Sequence, residues 1–305
     1  MADVALAGPL AGAGTVEGAT DQQVVRPTPA LWRRLRRSKA AQAGAIMVAI
    51  FIVVALVGPL VEPYDPLAQV LENRLQAPSA AHLLGTDALG RDVLSRLLEG
   101  SRISLTVGVF VGLIALAIGV PIGVVAAYFG EPWDSILMRA MDVLLAIPGI
   151  LLAIGIVAVL GPGLNNVMIA IGVVAVPSFA RVARAAALRT KEMPFVEAAH
   201  CAGASAGRIL WTHLRPNIAS PLIVLFSLRV ATSILTAASL GYLGLGAQPP
   251  QPEWGAMLSD GRTYMRSAPY VAMVPGIAIM LVVLGFNLLG DGLRDALDPQ
   301  TSRAR

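Results

Sequence analysis

The strongest constraint in this chain is a set of long stretches with no Asp, Glu, Lys or Arg. Residues 40–61, 103–130 and 143–180 hold 22, 28 and 38 consecutive uncharged residues. A helix rises 1.5 Å per residue, so even the shortest covers about 33 Å. The hydrocarbon core of a bilayer is about 30 Å thick. The longest is interrupted by Gly161-Pro162-Gly163-Leu164-Asn165-Asn166, a poor helix interior. It therefore divides into helices near 135–160 and 166–188, and further apolar helices are expected near 217–240 and 268–290. The expected fold is an all-α membrane protein with six transmembrane helices. With 56% hydrophobic and 14% charged residues, against about 25% charged in soluble domains, an ordinary water-soluble enzyme is excluded.

Basic residues fix a sidedness. With the N-terminus inside, fifteen Arg and Lys fall on inner segments and five on outer ones, as the positive-inside rule requires. Both termini are then cytoplasmic, and the segment 189–216 is a cytoplasmic loop. Residues 1–39 form a basic tail, disordered at its Gly/Ala-rich start, with neither the basic n-region nor the short apolar core of a cleaved signal. Cys201 is the sole cysteine, so no internal disulfide forms, and three histidines without a cluster predict no metal site. There is no Gly-x₄-Gly-Lys-Ser/Thr loop for ATP phosphates. Gly241, Gly244 and Gly246 close a membrane helix and are no dinucleotide motif.

The cytoplasmic loop is the most informative segment. Pro194 suits the first turn of a helix, Glu197 favours its positive end, and Ala198, Ala199 and Ala202 leave almost no side-chain bulk before Gly203 ends it. Such a helix reads either as a docking element for another protein or as an ordinary amphipathic linker. His213 reads as a polar anchor at the membrane surface or as a proton-handling group. Pro216 and Asn217 are expected to set a sharp entry into the fifth span.

Three further groups stand out. Arg229 lies about 18 Å into that span, where a charge costs at least about 2.5 kcal/mol and normally faces a cavity or partner. It reads as a pathway residue that attracts a carboxylate, or as a buried ion pair or a hydrogen bond to a neighbouring helix. Asp142 is expected to pair locally with Arg139, three residues away on one helix face. On the outer side, Asp87/Arg91 and Asp92/Arg96 at i,i+4 beside Leu94, Leu97 and Leu98 predict a surface-lying amphipathic helix. The stretch from Gln248 to Asp260 is stiffened by Pro249, Pro250 and Pro252, with Trp254 suited to the interface.

The segment Glu197-Ala-Ala-x₃-Gly203, followed by Ile209, His213, Pro216 and Asn217, resembles the EAA signature of ABC importer permeases. Three other motifs resemble the C-type permease subunit of oligopeptide and dipeptide importers. They are Leu84-Gly-Thr-Asp87-x₂-Gly90-Arg91-Asp92, Gly244-Leu-Gly-Ala-Gln-Pro-Pro-x-Pro-Glu253-Trp254-Gly, and Phe286-Asn287-Leu-Leu-Gly-Asp291-Gly-Leu-Arg294-Asp295. The likeness covers residues 40–300 and departs at Ala237, where many relatives are acidic, and at Arg229.

The resemblance implies a type I ABC importer (MetI-like) permease fold with one extra N-terminal helix. It divides the chain into a tail 1–39, an extra helix and extracytoplasmic segment 40–100, a core 101–293 with coupling helix 194–203, and a cytoplasmic tail 294–305. It implies a non-catalytic subunit of the bacterial cytoplasmic membrane that binds no cofactor, ATP and Mg residing on partners. The implied partners are a B-type permease, two ATPase domains, separate or fused, an extracytoplasmic peptide-binding protein, the lipid bilayer and the substrate, with no nucleic acid. The implied substrate is a di- or oligopeptide, with nickel or glutathione as alternatives. A stand-alone ion-driven carrier is the competing class. Glu197, Ala198, Ala199, Gly203, His213 and Pro216 are expected to couple to the ATPase. Arg229, Asp142 and Asn287 are expected along the path, and Asp87, Arg91, Gln248 and Trp254 are expected to meet the binding protein.

Overall fold

The computed structural model describes residues 38–297, so nearly all of the expected N-terminal tail and the end of the C-terminal tail lie outside the described residues. Among these residues the chain is helical throughout its apolar stretches. Helix α1, Lys39–Val61, starts where Ser38 accepts a hydrogen bond from the amide of Ala41 at 3.2 Å. It stops at Glu62, whose extended backbone suits the proline that follows. Helix α2, Val93–Phe129, begins at Asp92, whose carboxylate accepts from the amide of Ser95. It starts ten residues before the uncharged stretch, because that cap and the turn before it, not charge, set the boundary. At 37 residues it is about 55 Å long.

The third expected span is not one helix. Helix α3, Trp133–Ala146, and helix α4, Gly149–Leu160, are bent by 90° at Ile147-Pro148. The proline forces Ile147 into extended geometry (φ −94°, ψ 130°) and leaves no amide to continue the ladder. Helix α5, Leu164–Lys191, leads to the short α6, Pro194–Cys201. Helix α7, Ala206–Tyr242, starts eleven residues before Asn217. Pro216 does not make a sharp entry: Arg215 before it is helical (φ −48°, ψ −51°), and the wider turn Leu210–Leu214 passes smoothly into the membrane helix. Helices α8, Trp254–Gly261, and α9, Tyr270–Leu297, complete the chain. Among the described residues five helices (α1, α2, α5, α7, α9) are long and apolar enough to cross a bilayer, or six spans if the bent α3–α4 pair counts as one.

Small residues let the backbones approach. Gly119 and Gly123 of α2 face the α5 backbone at Val176 and Ala180, so α2 and α5 pack along much of their length. Gly44 of α1 faces Leu288–Leu289, and Gly292 of α9 faces Ala41, which docks α1 on α9. Helix α7 lies between, touching α2, α5 and α9. The bundle has two distinct ends. Lys191 donates to the carbonyl of Tyr128 at 2.9 Å, so α2 and α5 finish together beside α6. At the other end Gly163 donates to Leu245, and the Tyr270 hydroxyl donates to the carbonyl of Gln76 at 2.7 Å, tying the two long connections into one cap.

Candidate functional site

At the end of the bundle carrying α6, the helix places its residues as its composition dictates. Pro194 takes the first position, and Val196 is buried with Ile209 and Leu214, forming a floor that joins α6 to α5 and α7. Glu197 and Ala198 face outward, and Ala199 is half-buried. Gly203 follows the end at φ +76°, its amide bonded to the carbonyl of His200 at 2.9 Å, and no atom would meet a Cβ there. The result is a short ridge with its small-residue face open. His213 is half-buried against Phe195 (ring centroids 5.9 Å apart), and its carbonyl accepts from Asn217 at 2.6 Å. That position suits an anchor between α6 and α7. Pro216 is exposed beside it.

Trp211, which sequence reasoning passed over, is 68% exposed in the same turn, with the Arg215 guanidinium 4.9 Å over its ring. Its signal in the sequence was a tryptophan four residues before an arginine, one helical turn apart in a loop expected at the membrane surface.

Inside the bundle Arg229 stands at the midpoint of the Arg215–Tyr242 segment of α7, half-buried, and donates to Ser178 of α5 at 2.9 Å. Asp142 pairs with Arg181 of α5 at 2.5 Å, not with Arg139. The reason is geometric: α3 lies across α5, and Asp134 likewise meets Arg184 through both oxygens at 2.5 Å. Asp142 and Arg229 thus meet α5 at positions three residues apart, Arg181 and Ser178. Asn287 stands on α9, just past Phe286, whose carbonyl accepts from Ser227. Among the described residues it makes no hydrogen bond to Arg229 or Asp142.

At the opposite end the expected amphipathic helix does not form. Asp87 and Arg91 occupy a turn before α2 and are 4% and 5% exposed. The Arg91 Nε donates to Asp87 at 2.6 Å, and Arg96 lies 3.5 Å from the same oxygen. Asp92 pairs with His82 at 2.9 Å rather than with Arg96, because its carboxylate is held at the start of α2. Trp254 is 1% exposed and donates to the carbonyl of Leu97 at 3.1 Å. Asp87, Arg91 and Trp254 therefore brace the cap and are turned away from any docking partner; burial of paired charges inside a tight turn is what the i,i+4 spacing conceals. Gln248 remains exposed, held by the carbonyls of Gly244 and Gly246, beside Asn165 and Gln251 in a shallow mouth. Glu253 accepts from the amides of Gly255 and Ala256, both at 2.9 Å. Burial pushes its carboxyl above the usual range, against the pull of those two bonds.

Residues 119–303 match the family described as binding-protein-dependent transport system inner membrane component. Residues 30–78 match the N-terminal TM domain of oligopeptide transport permease C. Among curated relatives, the glutathione transport system permease protein GsiD of Escherichia coli O6:K15:H31 (strain 536 / UPEC) is 50% identical over 279 residues, 91% of this chain and 92% of that protein. The GsiD of Shigella boydii serotype 4 (strain Sb227) shows the same identity and coverage. Among solved structures, the inward-facing MetNI methionine ABC transporter in its CY5 native crystal form gives a TM-score of 0.54 at 20% identity. The match covers 66% of this chain and 96% of that one, and it is a likeness of fold.

Proposed function

This chain belongs to the binding-protein-dependent transport system inner membrane components, multi-pass non-catalytic permease subunits of the bacterial inner membrane, and on that premise we propose that it is half of the pore of an ATP-driven glutathione importer. The supporting observation is the 50% identity with glutathione permeases across nine-tenths of both chains. This moves the substrate from the dipeptides expected from motif resemblance to glutathione, itself a small peptide.

In this reading the end bearing α6 is cytoplasmic, both termini lie on that side, and the partner ATPases hydrolyse ATP. Glu197, Ala198, Ala199 and Gly203 enter a groove on one ATPase, with Pro216 exposed beside them, while His213 against Phe195 holds the ridge to α7. Closure of the ATPases then pushes on the buried floor of Val196, Ile209 and Leu214, through which the push reaches both α5 and α7. A second permease of similar fold supplies the other half of the pore. An extracytoplasmic binding protein delivers substrate to the capped end, near Gln248.

The test is uptake into proteoliposomes holding the complete complex, with binding protein added and ATP inside or outside. ATP-dependent accumulation of glutathione in preference to Ala-Ala or nickel is expected. Preference for Ala-Ala would return the dipeptide assignment, and accumulation without the ATPases would replace the importer by a carrier.

A further inference from the structure

We propose that Arg229 and Ser178 form a carboxylate-binding rung within the translocation path, a reading that rests on the importer assignment above. Among the described residues, five arginines or histidines other than Arg229 form ion pairs with acids, and all of these pairs lie in the outer cap or at the α3–α5 contact. Among the described residues Arg229 has no acidic partner, and its side chain is held by one hydroxyl, that of Ser178. A guanidinium presents five N–H donors and accepts nothing. One neutral contact therefore leaves most of its donors for an anion.

A line of hydroxyl residues runs outward from Arg229 along the same helix. Thr232, Thr236 and Ser239 follow at spacings of three, four and three, so all four residues form one stripe along α7. Thr232 is exposed, Thr236 and Ser239 are half-buried, and Leu235 beside them is 51% exposed. Each hydroxyl hydrogen is used on a carbonyl of its own helix: Thr232 on Leu228 or Arg229, Thr236 on Thr232, Ser239 on Leu235. Their lone pairs still face outward and can accept from amide or ammonium groups. A stripe of acceptors ending at a free guanidinium matches a peptide, with N–H groups along its length and a carboxylate at its end. Ser178 positions the guanidinium from α5, on the helix that continues to the coupling ridge, so movement of α5 against α7 stretches or breaks that contact. The rung would hold a carboxylate in one state and release it in the other.

The same anion could come instead from an acidic side chain of the second permease, and the experiment separates the two sources. Complete complexes carrying wild type, Arg229→Gln or Arg229→Lys are reconstituted. ATP-driven uptake is compared for glutathione and its C-terminal glycine amide, and for Ala-Ala and Ala-Ala amide. Each is supplied at saturating binding protein, its affinity for each ligand having been measured by calorimetry. The expected result is that wild type favours the acid over the amide by about tenfold or more once delivery is normalised, the size of a lost charge-assisted hydrogen bond. Arg229→Gln should abolish that ratio with assembly intact, and Arg229→Lys should restore part of it. An unchanged ratio in Arg229→Gln overturns the rung. Loss of the second permease from the purified Arg229→Gln complex also overturns it, in favour of an intersubunit pair. If wild type carries Ala-Ala but not glutathione, the substrate assignment fails while the dipeptide pair still tests the rung.

Discussion

The two ends of the bundle use charge in opposite ways. At the capped end Asp87, Arg91, Asp92 and Arg96 are all 5% exposed or less; Asp87 pairs with Arg91 and Arg96, and Asp92 with His82, all within the chain. At the end bearing α6, Glu197 is exposed without a partner among the described residues, and Gly203 and Gly207 border open space. The first arrangement is a finished structure whose polar groups are already spent on internal bonds. The second leaves a carboxylate and a small-residue face open. Acidic and basic residues in a loop do not by themselves indicate a docking surface; what matters is whether their bonds close inside the fold.

Substitutions should separate the ends cleanly. Arg91→Met removes the guanidinium from buried Asp87, and breaking a buried pair costs about 3–5 kcal/mol. The chain should melt far earlier, and little should be recovered in the membrane fraction. Glu197→Lys should do the converse: uptake is abolished, while the melting temperature of the purified complex stays within a degree or two. If Glu197→Lys destabilised the chain as Arg91→Met does, the distinction between the ends would collapse. Gly203→Val should fall between them. A Cβ finds free space there, but φ +76° costs a β-branched residue about 1–2 kcal/mol, so both melting and uptake decline partially.

The smallest effect concerns Glu253, whose carboxyl is raised by burial. Below the ordinary carboxylate range it is protonated in both states and adds no slope. As pH rises past that range the unfolded chain releases its proton first, so stability falls until the raised value of the folded chain is passed. Glu253→Gln keeps an oxygen for one of the two amides, removes the titration, and should flatten melting temperature against pH over that interval.

Much of this was legible in the sequence for a simple reason: a bilayer rewards uncharged length, and the stretches at 40–61 and 103–130 announce their helices. The short ridge from Pro194 to Gly203 was legible too, since proline, alanine and glycine each have one dominant backbone use there. What stayed hidden depended on distant partners. The spacing of Asp142 and Arg139 fits a helix face, yet Arg181, 39 positions away, takes the acid. Asp92 and Arg96 fit the same rule, yet His82 and the start of α2 claim the carboxylate. The break at Ile147-Pro148 left a mark, a proline before glycine, that the continuous hydrophobicity around it masked.

That break also has a mechanical result. Helix α4 has 12 residues, about 18 Å of rise, and so reaches only part of the way across the hydrocarbon. Helix α3 turns sideways from it and is strapped to α5 by Asp134–Arg184 and Asp142–Arg181. When α5 tilts, α3 must travel with it as an outrigger, sweeping an arc that a straight span could not.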